Sequence, residues 1–527
     1  MKRASKKGAL VLLTALTIVA LLLTSGCGGG KTASGGSGGT LTIANVTDIV
    51  QLDPIDIGDA PSSFVASQIY DALVKRDKDG NLIPGLATKW TPSPDGLTWR
   101  FELRKNVKFT DGEPFNANVV KWHIDRIQAK DSVPRFKKQF AVIKEVKVID
   151  NYTVDFVLTQ PNAAFIEYTL MTNAGMIPSP KAYKEKGKNF AFEPVGTGAY
   201  KFVKWTPGQK VELVRNDQYW GGKPGLDGIV FRNIPEAATQ IVELETGGVN
   251  YISKLTQEDI ARLSKNPKIQ VYNVGAYNVR YLSINTSDPI LSDVKVREAM
   301  AHALDFKSIV DKMLKGLVSP GDAIVPNTSW AHPAKVQGWE YSLDKAKALL
   351  DAAGWKVGPD GIRTKDGKKL EITIHSPNGR YIMDKEICEV VQQELLKVGM
   401  KVNVKVLEWG AFLADVQGKK YQMAFLGWAQ SSPEPSLFLD ALVMTGGRGN
   451  YTSYGNKAVD DLLKQAIVTT DQAKRKDLYG QAMTLMDKDI PYIYIYNENK
   501  VVAMAANVQG YVHSPAMNNF VPLWVKK

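Results

Sequence analysis

The stretch best equipped for chemistry is Phe425 to Leu439 (FLGWAQSSPEPSLFL). Its apolar half, ending at Trp428, reads as a strand, and the polar half is broken by Pro433 and Pro435. Loops at the C-terminal ends of strands are where open α/β sheets receive ligands. Trp428 would supply a flat apolar wall there, and Gln430, Ser431 and Ser432 neutral donors and acceptors suited to hydroxyls and amides. Arg380 and Tyr381 sit in a polar loop after the strand-like run Leu370 to His375. A guanidinium fork binds a carboxylate through two parallel hydrogen bonds, so Arg380 is a candidate anion anchor. Trp409, Tyr451 and Tyr454 are candidate stacking walls. Asn45 and Thr47, where the first strand-like run ends, are the candidates from the other end of the chain.

Catalytic patterns are poorly supplied. The five histidines (His123, His302, His332, His375, His513) are scattered, with no His-x-x-x-His or Cys-x-x-Cys spacing, so no bound metal or cofactor is expected. A metal carried inside a chelator would need no such set. Gly196-Thr197-Gly198 lacks the Gly-Lys-Ser/Thr ending of a phosphate loop and leads into a strand-like run, so it reads as a tight approach of backbone. Asp111-Gly112 is turn chemistry. Asp460-Asp461 and the pair Glu243 and Glu245 read as solvated helix faces. No Gly-x-Ser-x-Gly elbow occurs. A Ser/His/Asp set assembled only by folding stays open, which keeps a cell-surface hydrolase as the rival reading.

The elements that must position these residues alternate along the chain. Leu41–Val46 is a short β-type run, and Trp99–Leu103 and Val154–Leu158 alternate as half-buried strands. Ser62–Leu73, Asn118–Ile127, Leu343–Ala353 and Asp384–Val398 have helical spacing, as does Val294–Leu314 with a break and new cap at Asp305. Mixed elements throughout a chain of 527 residues imply an α/β protein of at least two lobes. Net charge is +12, but Lys2, Arg3, Lys6 and Lys7 lie in a leader without acidic residues, so the remainder stands at +8. With no dense Lys/Arg stripe, a nucleic-acid partner is not expected.

That leader has a basic head, an apolar run from Ala9 to Leu23, and Thr24-Ser25-Gly26-Cys27, which resembles a bacterial lipobox. Residues 1–26 are expected to be a signal peptide, Cys27 the lipidated residue, and 27–39 a flexible glycine-serine tether of about 20 Å. The protein would then sit outside the cytoplasm, anchored to the outer face of the membrane or in the periplasm. With two cysteines in all, a disulfide framework is excluded.

Five runs together resemble the extracytoplasmic solute-binding proteins of the peptide/nickel ABC importer family. They are Leu97–Val119 (LTWRFELRKNVKFTDGEPFNANV); Gly196–Phe202 with Asn216–Trp220; Val296–Met300 through Ala303–Asp305; Ala348–Trp355; and Gly427-Trp428 with Pro433–Pro435. The resemblance implies a two-lobed periplasmic-binding-protein fold with an extra inserted subdomain. Lobe I would comprise 40–74, 195–283 and 491–527, the insert 75–194 and lobe II 284–490, with hinge crossings near 275–290 and 485–495. It implies a monomer that captures a solute, peptide-like first and oligosaccharide or metal chelate otherwise, and delivers it to ABC permease subunits without catalysis. In the resembling peptide binders an Asp three residues after the Trp pairs with the ligand's ammonium. That position is Ser431 here, and Glu434 is the nearest carboxylate to replace it.

Overall fold

The computed structural model describes residues 38–129, 136–335, 338–515 and 520–526. The expected signal peptide, Cys27 and the tether up to residue 37 lie outside them. Gly38 and Gly39, counted with the tether above, already belong to the body. Gly38 N–H donates to the Gly225 carbonyl (2.7 Å) and Gly39 N–H to the Asp227 carboxylate (2.8 Å). Among the described residues no helix is long and apolar enough to cross a membrane.

Strand β1 (Thr40–Asn45) buries Leu41 and Ile43 completely. Helix Ala60–Ile69 follows, capped by Asp59 and started by Pro61 in its first turn. Helical periodicity runs on to Leu73, but the helix stops at Ile69 and Tyr70 is extended. The cause is close backbone contact. A Cβ on Gly196 would lie 2.2 Å from the Ile69 carbonyl oxygen, and Gly198 N–H donates to that oxygen at 2.8 Å. Thr197, between the two glycines, gives its hydroxyl to Asp71 (2.9 Å), which also accepts from Tyr219 (3.2 Å) and Trp220 (2.7 Å). One buried carboxylate thus ties together the two halves of the second sequence signature.

The hairpin β2 (Val74–Arg76) and β3 (Leu82–Pro84) leads into β4 (Ala87–Pro92), β5 (Thr98–Leu103), β6 (Ile143–Asp150) and β7 (Thr153–Leu158). The last four form an antiparallel sheet in the order β4-β5-β7-β6. β5 buries Trp99, Phe101 and Leu103 and turns Arg100 and Glu102 outward, the alternation read from sequence. These strands share a core with helix Ala117–Gln128, capped by Asn116.

The chain continues through β8 (Tyr200–Thr206), β9 (Lys210–Arg215), β10 (Gly228–Asn233), β11 (Tyr251–Ile252), β12 (Ile269–Gly275), β13 (Asn278–Ile284) and β14 (Val318–Pro320). A small sheet of β15 (Lys356–Val357), β16 (Arg363–Lys365) and β17 (Lys368–Lys369) precedes β18 (Glu371–Pro377), β19 (Lys401–Leu407), β20 (Met423–Ala429) and β21 (Tyr492–Ala505). Among the described residues twelve strands join into one sheet, ordered β19-β18-β20-β13-β21-β11-β1-β10-β9-β8, with β12 and β14 also on β21. Asp305 splits the helical stretch into Val294–Ala303 and Phe306–Met313 and caps the second piece.

Two lobes share β21. Its first part pairs with β13 (Ser283↔Tyr492 to Arg280↔Tyr496) and its second with β12 (Gly275↔Asn499 to Ile269↔Ala505). β12 ends at Gly275 and β13 begins at Asn278, so the chain passes between the two partners of β21 there. In β21 the change of partner falls at Tyr496–Asn499: β13 pairs with it up to Tyr496, β14 up to Glu498 and β12 from Asn499 onward. Separate apolar cores flank the crossings, one around Leu41, Phe231 and Met504, others around Leu282, Val391 and Tyr479.

Register also fixes what faces the crossings. β1 runs parallel to β10, ending Asn45↔Asn233, and Ile43 is level with Tyr251, hence with Met504, so β1 climbs toward the hinge end of β21. In lobe II, β18, β19 and β20 are parallel, and Ala429 lies opposite Asn278, at the hinge end of β13. Both lobes therefore turn the C-terminal ends of parallel strands toward the hinge.

Asp487 on helix Gln472–Asp489 makes stability pH-dependent. It is 7% exposed, accepts the Tyr494 hydroxyl (2.6 Å), and burial pushes its carboxyl up to about 7. Between the ordinary carboxyl pKa and 7 the unfolded chain releases this proton while the folded one keeps it, so stability falls as pH rises through that window. Asp487→Asn keeps the acceptor and has no proton to lose. It is expected to stabilise by about 1–3 kcal/mol at pH 8 and by nothing at pH 4, read from denaturant unfolding at both pH values.

Candidate functional site

β20 ends at Ala429, and Gln430 N–H continues the pairing onto the hinge through the Tyr277 carbonyl (2.8 Å). Trp428 Nε1 and Gln430 Nε2 both donate to the Leu437 carbonyl (3.0 and 3.2 Å), which fixes indole and amide together. Ser431 is exposed. Ser432 is 2% exposed and is not placed to meet a ligand. Its Oγ accepts from Arg76 (2.8 Å) and from Glu434 N–H (3.1 Å) and donates to Glu167. Arg76 and Glu167 belong to the segment before β8 and pair with each other (2.7 Å), so this serine ties that segment to the loop after β20.

Glu434 is also committed. It is 1% exposed and paired with Arg475 (2.5 Å), whose guanidinium donates to the Tyr479 hydroxyl (3.0 Å) and lies 5.2 Å from the Trp330 ring. Burial raises the Glu434 pKa against the pull of Arg475. It does not replace the missing carboxylate at Ser431.

The second part of the lobe II wall follows β18. Asp384, the first residue of helix Asp384–Leu396, is 2% exposed. It accepts backbone N–H bonds from Gly379 (3.1 Å), Arg380 (2.8 Å), Tyr381 (3.0 Å) and Lys385 (2.9 Å). The loop carrying both candidates is therefore wrapped around one carboxylate. The exposed Arg380 guanidinium lies 5.0 Å from the Trp409 ring, which stacks on Phe412 (5.6 Å between centroids). Tyr381 meets Trp409 and Phe425 edge-on (6.2 and 5.6 Å), and burial raises its hydroxyl pKa. Arg280 lies 4.6 Å from the Tyr381 ring and is paired with Glu498 (2.9 Å). It fills the space above Gly427, where a Cβ would stand 2.5 Å from it. Through Arg280 and Gly427 the Arg380–Tyr381–Trp409 group adjoins the Trp428–Ser431 group.

Tyr451 and Tyr454 do not join them. Thr452, between the two, is bonded to Thr286 N–H (2.8 Å) and hydroxyl (2.9 Å), beyond the end of β13 opposite the hinge. Tyr454 is 7% exposed with its hydroxyl on Asp489 (2.9 Å), and Tyr451 packs half-buried on the same core. Both rings pack against the core of lobe II. Asn45 is half-buried and Thr47 exposed at the hinge-facing end of β1, across the crossings from the lobe II group.

Sequence reasoning missed Asp384, Arg280 with Glu498, Arg76 with Glu167, and Arg448. The last is an exposed arginine whose guanidinium lies 4.7 Å from the Trp428 ring. Its only sequence signal is a lone cation in the run Gly446–Gly449. A cavity of about 720 Å³ lined by Phe192, Lys201, Lys204 and Trp205 lies along β8, the sheet's outer edge, with Trp205 bonded to Asp48 just beyond β1 (3.2 Å). Among the described residues no group of three or more His, Cys, Asp and Glu side chains is placed to hold a metal ion.

The model of the bacterial extracellular solute-binding proteins, family 5 (middle), matches residues 81–450. The glutathione-binding protein GsiB of Pectobacterium atrosepticum is 32% identical over 483 residues, 90% of this chain and 91% of the relative. HbpA2 from Haemophilus parasuis superposes with a TM-score of 0.85 at 27% identity, over 93% of this chain and all of that one. DppA from Helicobacter pylori, solved with the peptide STSA, gives 0.74 at 29% identity over 93% of this chain and 99% of that one.

Proposed function

The chain belongs to the bacterial extracellular solute-binding proteins of family 5, and on that premise we propose that it captures a peptide-like solute between its lobes and hands it to an ABC permease. The observation that carries this reading is the set Arg380, Tyr381, Trp409, Trp428, Gln430 and Ser431 at the strand ends of lobe II, facing the end of β1 with Asn45 and Thr47 across the hinge. Rings and a guanidinium suit a short peptide backbone with a carboxylate end. GsiB, named for binding glutathione, and DppA, solved with a peptide, support the same solute class.

The division into lobe I (40–74, 195–283 and the chain after the second crossing), insert (75–194) and lobe II (284 to that crossing) is part of the proposal. So are the signal peptide, the lipid on Cys27 and the location outside the cytoplasm, supported by the leader's composition. We read the protein as a monomer that binds without catalysing. A solute touching both lobes favours the closed arrangement by its extra contacts. Moving the population from mostly open to mostly closed takes about 5 kcal/mol of differential binding.

Small-angle scattering with glutathione and with tripeptides tests the proposal. Compaction on saturation with at least one is expected, and calorimetric binding without compaction would overturn capture between lobes. Trp428→Ala is expected to weaken that solute by about 2 kcal/mol, roughly 30-fold, read by calorimetry.

A further inference from the structure

We propose that the solute end meeting Gln430 and Ser431 is anionic, and that Arg448 on the Trp428 ring is its anchor. The cleft then takes a solute with a carboxylate at each end and no free ammonium beside Ser431. This rests on the peptide-like reading above and narrows it.

The carboxylates packed against this loop are turned inward, and the exposed Asp79, next to the Gly80 that meets Pro433, is paired with Lys78 (2.7 Å). Glu434 is buried on Arg475, Glu167 is shared by Arg76 and Ser432, and Asp440 is held neutral, its carboxyl pushed up to about 8 by burial and by Glu434. The cation is turned outward. Arg448 is exposed, and among the described residues no carboxylate lies within 4.0 Å of it. An ammonium placed beside Trp428 would meet the like charge of Arg448, which has no carboxylate within 4.0 Å among the described residues.

The arginine is also placed for recognition. Trp428 is pinned by its bond to Leu437, and a Cβ on Gly449, the next residue after Arg448, would stand 2.8 Å from the ring. Only a glycine lets the chain pass so close, and this holds the preceding arginine over the indole. A guanidinium stacked on a ring keeps its N–H edge free in its own plane, the geometry that forks a carboxylate. Arg380 repeats the arrangement on Trp409. Two acids of the same loops are engaged, with Glu408, the residue before Trp409, accepting from Asn378 (2.6 Å) and Asp384 filled by four backbone donors. Two guanidiniums, one on Trp409 and one on Trp428, therefore belong to the two adjoining groups of the lobe II wall.

The test is calorimetry with trialanine carrying a free, an N-acetyl or an N-succinyl amino end. N-succinyl is expected to bind at least tenfold tighter than N-acetyl, and the free amine weakest. Arg448→Gln should remove the succinyl advantage and leave the acetyl peptide within threefold, while Arg448→Lys keeps part of it. Ser431→Asp should reverse the order in favour of the free amine. Equal affinities for all three peptides, or an equal loss for all three in Arg448→Gln, would overturn this proposal and leave the peptide reading standing. Binding of none of them by the unmodified protein overturns both.

Discussion

Replacing Arg475 with methionine is expected to destabilise the protein by about 3–5 kcal/mol, more than any single change on the exposed face of the site. The guanidinium is the partner of Glu434, which is 1% exposed and sits in the loop between Trp428 and helix Ser436–Leu442. Without it the carboxylate is left buried and uncompensated, or must take up a proton and lose its bond. Replacing both partners should cost much less than the single change, because Glu434→Gln with Arg475→Met leaves a neutral amide of nearly the same shape. Denaturant unfolding of the two singles and the double reads the difference. A double variant no more stable than Arg475→Met would show that the arginine acts through its packing on Trp330 and Tyr479 instead. The pair also has a functional consequence. Ser432 and Glu434 hold the backbone on both sides of Pro433, so loosening them should blur the position of Ser431 and weaken solute in parallel with stability.

How much of this was legible in the sequence depends on the range of the interaction. β5 and β7 were readable because a strand with one buried face alternates, and the break at Asp305 because a cap is made within three residues, by Ser308 N–H at 3.0 Å. The helix ending at Ile69 was overrun because its stop is set by Gly196 and Gly198, more than 120 residues away. The partners of Ser432 and Tyr454 are hidden from the sequence for the same reason. A serine beside a tryptophan and a tyrosine in a polar loop read as ligand contacts, and only the fold brings Arg76, Glu167 and Asp489 against them. The change of partners inside the continuous strand Tyr492–Ala505 falls at its polar run Asn497–Lys500, a signal that a search for a gap between elements passes over. Arg380 and Tyr381 were visible from residue type, while the group that fixes them is an aspartate indistinguishable in sequence from any helix-starting acid.

That aspartate gives the second large effect. Asp384→Ala is expected to lower solute affinity by tenfold or more while the protein remains folded, and Asp384→Asn by less. The carboxylate accepts four backbone N–H groups at 2.8–3.1 Å, three of them from Gly379, Arg380 and Tyr381. An amide offers one oxygen where the carboxylate offers two, and alanine offers none, so those donors must find water and the loop must open to reach it. The backbone already works against this loop, since Met383 is held at φ 52°, a left-handed conformation that costs a residue with a side chain roughly 1–2 kcal/mol. The four bonds are what keep it there. Because Asp384 acts by placing Arg380 on Trp409, the two residues should not add. A double-mutant cycle with Arg380→Ala is expected to show that, once Arg380 is gone, losing Asp384 costs little more in affinity, although it still costs stability. Full additivity would mean that Asp384 supports the fold without positioning the anchor. In Met383→Gly the strain is removed at its source, and that variant should recover part of the affinity lost in Asp384→Asn.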